Sequence, residues 1–267
     1  MYIKRTWRAG KTIEVKKAYS ARYGRKIPRG VNENETREAQ MKVNYRRALG
    51  ELRRLLNANF RAGDIHAVFT YPMNPPPTPQ QAKADREKFI RKLRKLYADH
   101  GDELKYVVVT EFKYARIHHH FVINEPSFST KLIKALWKDY LASTYYTAEE
   151  RERGEPLHLR FPWSTLDDSG QYGELAAYVL KETEKSHREP GASQKRRYSC
   201  SRNLVHPVPV VEIIDAKRWR KEAAERKGYY IDKMASRDDV DPFSGLPIQE
   251  TVYVEITREQ RRVRRRC

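Results

Sequence analysis

The chain has 267 residues, enough for one good hydrophobic core or one core with a smaller annex. Fifty-four Lys and Arg against 35 Asp and Glu leave a formal net charge of +19, an excess that calls for a polyanionic partner. No apolar run approaches the roughly 18 to 20 residues of a membrane-spanning helix, so the expected polyanion is nucleic acid and no membrane partner is expected.

The only cysteines, Cys200 and Cys267, argue against a disulfide framework and favour a reducing interior. The opening Met1-Tyr2-Ile3-Lys4-Arg5-Thr6-Trp7-Arg8 lacks the apolar core of a secretion signal, so the cytoplasm is the expected location.

Tyr2 to Arg8 and Thr12 to Lys17 read as a hairpin about Ala9-Gly10. A basic stretch with Pro, Gly and Asn follows from Arg22 to Asn34; its tract Tyr19 to Arg29 fits a DNA-contacting arm or a solvated linker. Thr36 to Asn59 spaces Val43, Leu49, Leu52, Leu55 and Leu56 as an amphipathic helix. Residues 1–60 thus read as a basic N-terminal extension, hairpin plus helix.

A compact unit is expected over residues 61–190. Ile65 to Tyr71 is a strand stopped by Pro72 and the Pro75-Pro76-Pro77 cluster. Thr78-Pro79 supplies an N-cap and a first-turn proline for a helix with Phe89, Leu93, Leu96 and Tyr97 on one face, ending near His100-Gly101. A strand hairpin spans residues 105–124, and Ser129 or Thr130 caps a second helix. Residues 143–156 read as irregular, Leu157 to Phe161 as a strand, and Gly170 to Lys185 as a third helix. The order predicts an α+β fold, an antiparallel sheet with helices mainly on one face.

Residues 191–267 read as a basic C-terminal α/β extension. Its elements are a strand at Val208 to Ile214, a short helix from Asp215 to Arg226, strands at Tyr229 to Ile231 and Thr251 to Ile256, and an Arg-rich tail.

The chemistry concentrates in the central hairpin. Strand residues alternate faces, so His118 and His120 of the His118-His119-His120 run share a face while His119 points the other way. If Tyr114-Ala115 form a two-residue loop, Lys113 pairs with Arg116, Phe112 with Ile117 and Glu111 with His118. That register sets a carboxylate opposite the first histidine, within roughly 5 Å at Cβ. One carboxylate and two imidazoles on a rigid hairpin suit a divalent cation with positions left open for substrate. A one-residue slip would turn Glu111 away and leave Glu182 as the substitute ligand.

In the third helix Tyr178, Lys181 and Glu182 share a face. A phenol is a poor nucleophile unless a cation or metal stabilises the phenolate, and Lys181 stands one turn away. On its own this trio reads equally as core edge and solvated surface. Gly10-Lys11-Thr12 ends like a phosphate-binding loop, but Arg5 occupies the position of the required glycine, so no ATPase is expected and unwinding would need a host helicase.

In combination and in this order, Phe69-Thr70-Tyr71, the histidine pair with its facing glutamate, and Tyr178-x-x-Lys181 resemble the HUH endonucleases. Within that superfamily the likeness is particularly to the rolling-circle replication initiators of small phages, plasmids and single-stranded DNA viruses. The resemblance covers residues 65–186, and it departs at His119, where the family usually has a bulky apolar residue. It implies a ferredoxin-like or RRM-like sheet and Mg²⁺ or Mn²⁺ held by Glu111, His118 and His120. It also implies Tyr178 as the nucleophile with Lys181 as its lysine, cleaving and rejoining single-stranded DNA at a replication origin in a bacterial host. A host helicase and DNA polymerase would then be partners. The stretch Tyr198-Ser199-Cys200-Ser201-Arg202-Asn203 resembles replication proteins encoded by phage-like elements of gut bacteria.

Tyr71, Lys113, Arg116, Lys195, Arg196 and Arg197 are expected DNA contacts, with Tyr114 and Trp163 as further base-stacking candidates. A mobilisation relaxase or single-tyrosine transposase would use the same chemistry. From other classes, a water-using nuclease would be indifferent to Tyr178→Phe, and a non-catalytic nucleic-acid-binding module would be indifferent to chelators.

Overall fold

Period-two and helical patterns alternate along the chain, and the structure turns them into two antiparallel sheets and five helices among the described residues. The structure, a computed structural model, describes residues 1–19, 38–72, 76–113, 116–153, 161–186, 197–242 and 245–257. In chain order the elements begin β1 (Tyr2–Ala9), β2 (Thr12–Ala18), α1 (Glu38–Asn59), β3 (Ile65–Thr70), α2 (Pro79–Asp99), β4 (Tyr106–Lys113), β5 (Arg116–Ile123) and α3 (Thr130–Tyr145). They continue α4 (Ala148–Glu152), β6 (Trp163–Thr165), α5 (Gly173–Ser186), β7 (Ser199–Cys200), β8 (Val210–Ile214), β9 (Tyr229–Ile231), β10 (Arg237–Val240) and β11 (Pro247–Glu255). The fold is α+β, as its pattern predicts, and no helix among the described residues is long and apolar enough to cross a membrane.

The chain divides into two compact units. One comprises residues 1–59, 168–176 and 205–267, the other residues 60–167 and 177–204.

The first unit is built on a six-stranded sheet in the order β10-β11-β2-β1-β8, with β9 also paired to β11. Segments distant in the sequence therefore share one sheet: β2 lies between β1 and β11. The β1–β2 turn needs its glycine, since Gly10 has φ 55° and a Cβ there would sit 2.0 Å from the Asn57 carbonyl oxygen. On one sheet face α1 buries Glu14 between Arg53 at 2.7 Å and Arg54 at 2.5 Å.

The alternate residues Ile13 and Val15 turn to the other face and pack with Tyr253. Residues 215–226, expected as a helix, are irregular there. Tertiary contacts take up their backbone instead: the Gln249 amide donates to the Lys221 carbonyl and the Tyr253 hydroxyl to the Ala224 carbonyl. Trp219 stacks on Tyr19 and meets Tyr2 edge-on. The short β10 and the helix α4 were not anticipated.

Glu250 in β11 gives this unit a pH dependence. Burial alone would raise its carboxyl, but the hydrogen bond from Arg237 and the charge of Lys16 outweigh that and hold it down at about 2. A folded-state value below the unfolded one confers stability above the ordinary carboxylate range that is lost as pH falls toward 2. Urea unfolding should show up to about 3 kcal/mol of loss between pH 4.5 and pH 2, and Glu250→Gln should flatten that slope.

The second unit carries the five-stranded sheet β6-β3-β5-β4-β7. Thr78 caps α2 reciprocally with Gln81, and Ser129 caps α3. Both helices bury apolar faces in the core formed with Phe69, Val108, Phe121 and Ile123; Phe89, Leu93, Ile133 and Trp137 are fully buried in it. The indole of Trp137 packs against Phe69, Phe89 and Tyr71 and donates to the Thr70 carbonyl at 2.9 Å. Trp137→Ala should cost about 3–5 kcal/mol, read as a lowered denaturation midpoint of this unit. The strand expected at Leu157 to Phe161 falls largely outside the described residues, and the strand that is described nearby is β6.

Candidate metal centre

The β4–β5 hairpin has the pairing that a two-residue loop dictates: Lys113 with Arg116, Phe112 with Ile117, Glu111 with His118, Thr110 with His119 and Val109 with His120. Alternation then gathers Glu111, His118 and His120 on one face. Glu111 Oε2 lies 2.7 Å from His118 Nε2 and 3.5 Å from His120 Nε2. One donor atom from each residue lies within 4.8 Å of the others.

Glu111 and His120 are buried, and His118 is half-buried. Nε2 of His120 is buried without a hydrogen-bond partner among the described residues. A buried imidazole nitrogen left unpaired is costly, and a cation is a partner that suits it. The donor set, one hard carboxylate and two imidazoles, fits a divalent cation.

His119, on the opposite face, is a core residue with both nitrogens engaged: Nδ1 with the Thr110 hydroxyl and Nε2 with the Tyr71 hydroxyl, each at 2.9 Å. Arg86 donates to Thr110 Oγ1 at 3.0 Å, and the Tyr71 hydroxyl donates to the Ala82 carbonyl. One assignment uses every donor: Thr110 donates to Nδ1, and the Nε2–H of a neutral His119 donates to Tyr71. Burial holds His119 well below the ordinary imidazole value, consistent with that neutral ring.

A third histidine on the metal face was missed in the sequence. His66 in β3 approaches His120, with 3.3 Å between its Nε2 and Nδ1 of His120. Burial first, then His120, pushes His66 down to about 4. The signal was present in principle, because β3 pairs with β5 and places Val68 opposite His120. That pairing joins strands distant in sequence and is not visible from local pattern.

The α5 helix brings Tyr178 to the same place. Its ring meets His120 edge-on at 5.4 Å and His66 at 6.1 Å, and it remains 52% exposed. Lys181 is exposed one turn on. The side chain of Glu182 lies outside the described residues, as do those of Lys113, Arg116, Lys195 and Arg196, and Tyr114. Arg197 is half-buried, and so is Trp163, whose ring carries Lys134 at 4.9 Å. Tyr71, expected to stack a base, instead lies buried in the core, its ring packed on Trp137, Tyr145 and His119.

Residues 66–187 match the family model of the ORF2-type replication-associated proteins. The match begins at His66 and spans Glu111, His118, His120 and Tyr178, so the segment similar to replication-associated proteins contains the whole candidate centre. It supports a role in replication initiation. No curated protein and no solved structure matches the chain.

Proposed function

We propose that this chain is a replication initiator that nicks and rejoins single-stranded origin DNA through Tyr178. The observation that carries the reading is the place of Tyr178: a half-exposed phenol on α5, in ring contact with His120 at the edge of a built cation site. Glu111, His118 and His120 would hold the cation, Mg²⁺ or Mn²⁺. When bound, it supplies Lewis-acid polarisation of the scissile phosphate.

The chain's own residues do the rest. The α5 helix presents the Tyr178 hydroxyl oxygen to the phosphorus, and its proton leaves to solvent. The new O–P bond forms as the bond to the 3′ oxygen breaks, giving a 5′-phosphotyrosine and a free 3′ hydroxyl for a polymerase to extend. The phosphodiester energy is kept in the tyrosyl ester, so a later 3′ hydroxyl can reverse the step and join the strand. Lys181 is placed to meet phosphate charge near Tyr178. The excess of cations supplies sequence-independent affinity that should fall steeply with salt.

The test is to incubate the full chain with single-stranded origin-region DNA labelled at either end, with Mn²⁺ or chelator, and run denaturing protein gels. The reading expects a metal-dependent adduct carrying only the 3′-end label. Cleavage without adduct would point to a water-using nuclease; binding with neither would point to a non-catalytic nucleic-acid-binding module.

A further inference from the structure

We infer that His66 is a positioning residue for the metal ligand His120: it accepts the Nδ1–H of His120 and thereby directs the Nε2 lone pair of His120 at the cation. The inference rests on the metal-centre reading above and adds a residue to it.

The geometry of the two rings is that of a hydrogen bond. Their planes differ by 8° and their centroids lie 5.5 Å apart, with 3.3 Å between the facing nitrogens. The difference between the two distances is about two ring radii, so both nitrogens lie near the line joining the rings. The imidazoles meet edge to edge in nearly one plane, nitrogen toward nitrogen; they are not stacked face on face.

Tautomer logic fixes the direction. Of two neutral imidazoles sharing one hydrogen bond, one donates and the other accepts. If His66 donated, Nδ1 of His120 would be the acceptor, its proton would sit on Nε2, and that atom could not bind a cation. A metal-competent His120 therefore carries its proton on Nδ1 and donates it to His66 Nε2. A ligating histidine commonly gives its other N–H to an acceptor that fixes its tautomer and ring orientation. Here that acceptor is an imidazole.

The sheet explains how it is placed. Val68 is paired with His120 in the β3–β5 ladder, and His66 lies two residues along the same face, a diagonal neighbour within reach of a long side chain. Tyr178 closes the arrangement from the helix side, its ring edge-on to both. The same residue thus sets a ligand's tautomer and forms part of the surface against which the phenol rests.

The experiment compares Mn²⁺ affinity of the full chain, by calorimetric or electron-spin titration, for wild type and the variants His66→Leu, His66→Gln and His120→Ala. His66→Leu, which fills space but accepts nothing, should weaken binding about 10–100-fold. His66→Gln, whose amide oxygen can accept, should recover most of that loss. Thermal melting of each metal-free variant separates these effects from misfolding. In the metal-free wild type, nitrogen-resolved NMR of the histidine rings should show His120 protonated on Nδ1.

Wild-type affinity in His66→Leu, equal weakening in Leu and Gln, or an Nε2-protonated His120 would each overturn the inference. Undiminished Mn²⁺ binding in His120→Ala would instead overturn the metal centre itself.

Discussion

Tyr178→Phe should abolish the covalent protein–DNA adduct and lower the nicking rate on the order of 10³-fold or more, while single-stranded DNA still binds. The substitution removes one oxygen and keeps the ring, so the edge-on contacts with His120 and His66 persist. The half-exposed side chain is not a core residue, so its stability cost should stay within about 0.5 kcal/mol. Adduct gels and single-turnover nicking measure the first effect, and a salt-dependent binding isotherm measures the second. Persistent adduct would assign the nucleophile elsewhere. Persistent cleavage without adduct would assign water.

Glu111→Gln should bring an equally large loss at the metal. The change keeps the shape beside His118 and His120 but removes the one carboxylate of the set. Affinity for Mn²⁺ should fall on the order of 100-fold or more, beyond the 10–100-fold typical of an outer-shell change. Melting gives a second readout. A cation that binds only the folded chain adds about 2.7 kcal/mol at a hundredfold excess over its dissociation constant, so Mn²⁺ should raise the wild-type melting temperature and leave Glu111→Gln unmoved. A rise of equal size in both proteins would place the cation at another site.

The centre was legible where its determinants are local. A two-residue loop fixes hairpin register, and register with alternation decides that Glu111, His118 and His120 meet while His119 turns inward. The caps of α2 and α3 were legible for the same reason, since Thr78, Pro79 and Ser129 act within one turn.

What escaped the sequence is non-local. His66 reaches His120 only through the β3–β5 ladder, and Tyr71 is taken into the core by contacts from α3 and β5. The helical spacing of residues 215–226 is overruled by side chains of β11 that capture their carbonyls, and by Trp219 seated against Tyr2 and Tyr19. Helix propensity is a weak prior, and a few such contacts exceed it.

The pairing of β2 with β11 has a consequence for how the protein is made. Each strand of the metal-bearing sheet, β3 to β7, leaves the ribosome before β8, whereas β2 must wait for the last strand of the described chain. The nuclease-like sheet can therefore close during synthesis, while the β1–β2 hairpin stays one neighbour short until β11 emerges. Closing that long loop late is entropically slow. A nascent chain arrested before β11 would thus already hold Glu111, His118 and His120 together, with its amino-terminal hairpin still unpaired on one edge.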